Sequence, residues 1–246
     1  MNVRKRQRIK SLIKALSSFS NPKKWGVIAE TFERTSFDHA FTVSYSQAAE
    51  DIALVQILGS EPGFYIDVGA HHPSRFSVTR LLYQRGWNGI NIDANPDVKK
   101  LFEIDRPKDR FICAAVGNSS SYKFTRFQEP AISTANAKWR DRFEKEGNVI
   151  RDEINVIGIK LRDVILKLPE DQKINLLNID IEGSDLEALN SLELPSVRSN
   201  KIPKFISLET SWPVSQALET ESVKLAMAWG YQPALVLPMA TVLYWP

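Results

Sequence analysis

The sequence predicts an α/β fold: a seven-stranded, mostly parallel, Rossmann-like sheet covered by helices on both faces and closed by a C-terminal antiparallel hairpin. Three observations predict it. Short β-rich runs alternate with helical segments from about Tyr45 onward. Those runs are apolar on both faces, as strands of a buried parallel sheet must be. The last two runs are joined by Pro238-Met239-Ala240 alone, too short a link for anything but an antiparallel pair.

Taken in order, Gln47 to Leu58 reads as a helix, with Ala49, Ile52, Ala53 and Gln56 at helical spacing and Gly59 as its stop. The strands are Phe64 to Val68, Gly89 to Ile92, Arg110 to Val116, Leu176 to Ile181 and Phe205 to Leu208, followed by Ala234 to Leu237 and Thr241 to Trp245. Helices are expected at Ser77 to Gln84, Pro96 to Ile104, Leu161 to Leu168, Asp185 to Leu192 and Thr220 to Trp229. Residues 118–153 break the alternation with a serine-rich start, a β-run at Lys123 to Phe127 and a charged segment. That is long for a connection in a compact domain, and the expectation is an insertion or lid.

The charge is uneven. The chain of 246 residues has 32 Lys and Arg against 29 Asp and Glu. Residues 1–24 contain Arg4, Lys5, Arg6, Arg8, Lys10, Lys14, Lys23 and Lys24 and no acid, which leaves the remainder at 24 basic against 29 acidic residues. A body of that balance argues against a nucleic-acid partner. Ile9, Leu12, Ile13 and Leu16 fall at i, i+3, i+4 and i+7 within the arm, so residues 1–44 read as a basic amphipathic arm and linker and 45–246 as the main domain. Two readings of the arm stand: a helix in peripheral contact with an anionic membrane, or a solvated tail packed on the body. Cys113 is the only cysteine, which excludes an intrachain disulfide and fits a reducing, cytoplasmic compartment, while the first reading of the arm places the protein peripherally at the inner face of the membrane. No run of apolar residues is long enough to span a bilayer, and no signal-type apolar region follows the basic start, so the N-terminus is expected to be kept.

In a doubly wound sheet ligands bind beyond the carboxyl ends of the strands. The first strand ends in Asp67-Val68-Gly69-Ala70-His71-His72-Pro73, where a glycine lets a ligand approach the backbone. The later glycines of a pyrophosphate loop are missing, which counts against a dinucleotide and suits a nucleoside such as S-adenosylmethionine (SAM). Asp93 stands at the tip of the second strand, where a carboxylate accepts ribose hydroxyls, while Asn95 serves as the helix cap before Pro96. The fourth strand ends in Asp180-Ile181-Glu182-Gly183-Ser184-Asp185, and a period of two points Asp180 and Glu182 the same way. Asp180, Glu182, His71, His72 and Glu209 are the residue types that act as general base or clamp an acceptor. The same carboxylates and imidazoles suit Mg²⁺ or Mn²⁺, and the sequence leaves base-alone and metal-assisted versions open.

Several motifs in order carry a family resemblance: Ser46-Gln47 with Glu50-Asp51, the Asp67-to-Pro73 turn, Ser77-Val78-Thr79, Gly86-Trp87-Asn88-Gly89-Ile90-Asn91-Ile92-Asp93, Arg106-Pro107-Lys108-Asp109 and Asp180-Ile181-Glu182-Gly183. From about Tyr45 to Glu209 the chain resembles the FkbM family of SAM-dependent methyltransferases. The resemblance implies a class I methyltransferase that O-methylates a hydroxyl, often on a sugar of a polysaccharide, glycolipid or natural product. It implies that Asp67, Gly69 and Ala70 line the SAM amino-acid pocket, that Asp93 and the neighbouring Ala94 hold the ribose, and that Asp109 to Ala114 border the adenine. Gln47, Ser77 and Thr79 are weaker candidates for polar contacts to SAM. Ala49 departs from the family, whose members often have glycine there. A binding module without catalysis, or methylation of a nitrogen or a small lipid, are the alternatives.

Overall fold

A computed structural model of the chain describes residues 43–210 and 213–246. The basic arm, with its expected helix, and His39 lie outside the described residues.

The first described helix, α1 (Glu50–Leu58), leads into strand β1 (Phe64–Val68), followed by α2 (Arg80–Gln84), β2 (Asn88–Asp93), α3 (Lys99–Asp105) and β3 (Arg110–Cys113). Next come β4 (Ala115–Val116), β5 (Ser121–Phe127), α4 (Ala137–Lys145), β6 (Ile150–Ile159), α5 (Leu161–Leu166), β7 (Leu176–Ile179) and α6 (Asp185–Asn190). The chain closes with β8 (Phe205–Glu209), α7 (Glu221–Ala228) and the hairpin of β9 (Gln232–Val236) and β10 (Ala240–Tyr244).

Among the described residues the main sheet has seven strands in the order β3-β2-β1-β7-β8-β10-β9. Neighbours from β3 to β8 run parallel, and β10 is antiparallel to both β8 and β9. This is the expected architecture. The strand order reverses between β1 and β7, because the chain leaves β1 toward one edge and returns on its other side at β7. That crevice is where open α/β sheets bind ligands.

Alternation along the strands sends side chains to two separate cores. Ile66, Val68, Ile92, Leu177, Ile179 and Leu208 pack against the helices α5, α6 and α7 on one face. Tyr65, Leu176 and Val242 pack with Leu54, Leu81, Leu82 and Trp87 of the α1–α2 side on the other. Each fully buried aliphatic side chain contributes roughly 1.5–3 kcal/mol.

A row of polar side chains crosses the centre of this sheet. Asn91, Asp67, Asn178 and Ser207 stand in register on adjacent strands β2, β1, β7 and β8, and all four are buried. Polar groups so deep must be paired. Asn178 Nδ2 donates to Asp67 Oδ1 at 2.9 Å and Thr79 Oγ1 donates to Asp67 Oδ2 at 2.6 Å.

Residues 118–153 carry regular secondary structure of their own. The segment contains β5 and α4, and β6 continues past it to Ile159. β5 and β6 form a long antiparallel pair, and β6 also pairs with β4 in a second, three-stranded sheet. The run expected as one strand from Arg110 to Val116 is divided at Ala114, so that β3 joins the main sheet and β4 joins the second. The expected strand to Ile181 stops at Ile179. No described helix is long and apolar enough to cross a membrane.

Candidate active site

Two cavities open at the carboxyl edge of the sheet, and Asp180 lines both. The larger, of about 630 Å³, lies over the β1–β2–β7 tips and is bordered by Gly69, His71, Asp93, Ala94, Asp180 and Glu182. Ile92, Ala114, Val116 and Phe124 supply apolar wall, and Thr134 and its neighbours close it from the connection between β5 and β6. The smaller cavity, of about 320 Å³, lies on the α1 side between Gln47, Glu50, Asn178, Asp180 and Glu209.

The turn after β1 is built by backbone constraints. Gly69 has φ +80, and a Cβ there would overlap the carbonyl oxygen of Asp180. Its N–H donates to Ile92 O at 2.9 Å, and Asp180 N–H donates to Val68 O at 3.0 Å. Glycine at this position therefore serves the close approach of two strand ends as well as any ligand.

Asp93 accepts His71 N–H on Oδ2 at 2.8 Å and Asn95 N–H on Oδ1 at 2.7 Å. Each oxygen keeps a second lone pair for a donor in the cavity. Burial raises its pKa to about 6 despite those two bonds. Asn95 caps the next turn through Asp97 N–H at 3.1 Å, as expected.

The acids after β7 stand in a turn, not on a strand. Glu182 has φ +51 and Gly183 φ +89, so the period-two reason for placing Asp180 and Glu182 together does not apply. The turn itself brings both to the larger cavity. It is held from the connection between β5 and β6: Thr134 Oγ1 donates to Glu182 O at 2.9 Å, and Asn136 Nδ2 donates to Gly183 O at 2.7 Å. The Trp139 indole of α4 occupies the space a side chain at Gly183 would need.

This corner raises the pKa of every acid in it. Burial, then the charges of Asp185 and Glu182, hold Asp180 well above the carboxylate range. Burial and Asp185 raise Glu182 to about 7, and burial raises Asp185 to about 6. Burial, then Asp180, Asp185 and Glu182, push Glu209 to about 10, so it carries its proton at neutral pH. Perturbed acids gathered in a cleft are a functional signature, and one poised near 7 suits proton transfer.

Several expected site residues stand elsewhere. Asp67, Ser77, Thr79 and Asp109 line neither cavity. They belong to a buried network around Arg106, whose side chain is wholly enclosed. Arg106 donates to Thr79 Oγ1 at 2.7 Å, to Ser77 Oγ at 2.5 Å and to Pro73 O at 3.0 and 2.6 Å. Asp109 lies 3.7 Å from the guanidinium and accepts from the Tyr65 hydroxyl, Gly89 N–H and Asn91 Nδ2. An acid saturated in this way braces the sheet. Ala114, from the same expected border, does line the larger cavity. Ala70 is buried against Val98 and Phe102 and does not line it. Gln47 borders the smaller cavity instead of the larger.

The histidines divide. His72 Nδ1 accepts Ser74 and Arg75 N–H groups, both at 3.0 Å, so its ring shapes the loop. His71 reaches the larger cavity, but its Nε2 lies 3.4 Å from Arg75 Nη1. Burial, then Arg75 and His72, lower its pKa to about 4. A neutral imidazole that weak is a poor base at neutral pH. Among the described residues no three of His, Cys, Asp and Glu are arranged to hold a metal ion.

The sequence reading missed Glu50, Asn178 and the walls supplied by Tyr122, Phe124 and Thr134. Glu50 and Arg106 sat inside quoted motifs without a role. The walls from the second sheet had no signal of their own.

The family model of the methyltransferase FkbM domain matches residues 67–228. The chain belongs to the FkbM methyltransferase family. It is thus a SAM-dependent methyltransferase. Among solved structures, the FkbM chain is similar to a TehB-like SAM-dependent methyltransferase from Corynebacterium glutamicum, at 12% identity and TM-score 0.42 over 92% of this chain and 100% of that one. It is similar to a human methyltransferase 10 domain containing protein, at 12% identity and TM-score 0.46 over 93% and 98%. A third likeness is the plantazolicin methyltransferase BpumL in complex with SAH, at 14% identity and TM-score 0.32 over 91% and 70%. No curated protein matches the chain.

The larger cavity fits SAM by its donor set. It combines an apolar slot for a base with a carboxylate at the β2 tip for a diol, and places acids near a cationic ligand.

Proposed function

We propose that this FkbM enzyme methylates a hydroxyl of a sugar, in a polysaccharide, glycolipid or natural product, with SAM in the larger cavity and the acceptor in the smaller one. The observation that carries this reading is the position of Asp180, which borders both cavities.

When bound, SAM would supply a cationic, activated methyl group and leave as the neutral thioether, so the protein's tasks are alignment and removal of one proton. Asp180, in its ionised carboxylate form, takes the proton of the acceptor hydroxyl. A pKa well above the ordinary carboxylate range brings Asp180 closer to a hydroxyl in proton affinity than a normal aspartate. Glu182, raised to about 7, receives the proton onward or holds the amino end of the cofactor. Asp93 accepts the ribose hydroxyls. Gly69 and Ala94 give that ligand close access to backbone.

The experiment is a screen of glycan and glycolipid acceptors with SAM, read by a mass gain of one methyl group. Methyl transfer to a sugar oxygen is the expected result. Transfer to nitrogen alone, or to lipid acceptors lacking a sugar, overturns the acceptor assignment. Asp180→Asn is expected to abolish turnover with SAM affinity within about threefold of wild type. An active variant overturns its role as base.

A further inference from the structure

The smaller cavity has features that a simple passage to Asp180 does not need. Glu50 is 3% exposed, and it borders the cavity. Its Oε2 accepts Ala48 N–H at 3.0 Å, but its Oε1 has no hydrogen-bond partner among the described residues. A carboxylate oxygen left buried and unpaired costs on the order of 1–3 kcal/mol or more, so a fold that keeps one is holding it for a donor. Across the same cavity stands Phe76, 39% exposed and with φ +55. A bulky side chain in the left-handed region costs about 1–2 kcal/mol, and such strain gathers where a ligand is clamped. Met239, also 39% exposed, borders the cavity near Glu209.

We propose that this cavity holds a single sugar ring of the acceptor, with the apolar face of the ring on Phe76 and a ring hydroxyl, next to the one methylated, donating to Glu50 Oε1. The inference rests on the function proposed above and adds the residues that select the acceptor.

The mixture of groups decides for a sugar against an amine. Glu50 Oε1 needs a donor. Glu209, protonated at neutral pH, needs an acceptor. A hydroxyl is both donor and acceptor, whereas an ammonium only donates. The polar row of Asn178 and Ser207 on the cavity floor adds further groups of both kinds. An aromatic face attracts the polarised C–H edge of a saturated ring.

The test uses the full chain with saturating S-adenosylhomocysteine and a panel of simple methyl pyranosides, observed by saturation-transfer NMR, with methylamine and spermidine as amine probes. Calorimetric titration with SAM runs beside it. Pyranoside ring protons are expected to receive saturation. Phe76→Ala is expected to abolish that signal, and Glu50→Gln to reduce it at least fivefold, with SAM affinity within twofold of wild type for both. Phe76→Tyr is expected to restore it. Binding of the amines in preference to all pyranosides overturns the inference, as does a pyranoside signal unchanged in both Phe76→Ala and Glu50→Gln. No pyranoside binding while SAM binds normally overturns this inference alone. Absence of SAM binding overturns the functional reading beneath it.

Discussion

Gly69 and the backbone carbonyl of Asp180 occupy adjoining space so closely that a Cβ on the glycine would overlap the oxygen. Two motifs far apart in the sequence, the turn after β1 and the acidic turn after β7, are thereby locked into one edge. Gly69→Ala must move one of them, and its φ of +80 adds strain to the collision. The expected loss is roughly 3 kcal/mol or more, seen as a fall in Tm of about 6–12 °C together with lost SAM binding. A variant with wild-type Tm and affinity would show that the two turns are not coupled.

Asp93 presents the one carboxylate at the β2 tip, held by His71 and Asn95 N–H groups. Asp93→Ala is expected to weaken SAM binding by about 1.5–3 kcal/mol, the loss for a charged hydrogen-bond partner. Calorimetric titration measures it. Unchanged affinity removes Asp93 from the ribose site.

Arg106 touches neither cavity, yet it joins Pro73, Ser77 and Thr79 of one loop to the sheet. Arg106→Met leaves Asp109 and several hydroxyls buried without their cation, a change expected to cost about 3–5 kcal/mol. Arg106→Lys is expected to recover less than half of this, because an ammonium cannot reproduce the planar fork of contacts. Denaturant unfolding of the three proteins provides the comparison. A fully rescued lysine variant argues that charge alone matters.

The acid corner makes a signed prediction about pH. Burial raises Glu182 from 4.5 to about 7 and Asp93 from 3.8 to about 6. Between the unfolded and folded values the native state holds protons that the unfolded chain has released. Their contribution to stability is therefore full below about pH 4 and is lost as pH rises through 6 to 7. Glu182 is partly exposed, and its share is roughly 1–3 kcal/mol. Tm is expected to fall between pH 5 and pH 8, and Glu182→Gln to flatten that slope. The same slope in both proteins assigns the effect to other groups.

Ala49 precedes α1 with φ +64 and ψ +26, a left-handed conformation that favours glycine. Ala49→Gly removes about 1–2 kcal/mol of strain and adds flexibility to the unfolded chain. The expected net gain is about 0.5–1 kcal/mol by chemical denaturation. A net loss means that the methyl group packs against something of value.

Much of the fold was legible because strand alternation and helical spacing are local. Periodicity placed every strand of the main sheet to within a few residues, and the three-residue link between β9 and β10 dictated their antiparallel pairing. Long-range partnership was not legible. The Arg110-to-Val116 run gives no local hint that Ala114 divides it between two sheets. Residues 118–153 are polar because one face of the second sheet is solvated, and that polarity resembles a loop when read along the chain.

The sequence by itself determined the carboxyl-edge motifs, the membership they resemble and the acids at the ends of β1, β2 and β7. Tertiary structure decided which of those acids border a cavity. Asp67 and Asp93 look alike in sequence, each in or at the end of an apolar strand, yet Asp67 is consumed by Thr79 and Asn178 while Asp93 borders the larger cavity. Only packing distinguishes them, since a carboxylate's role depends on which donors the rest of the fold brings within 3 Å and which it leaves for a ligand.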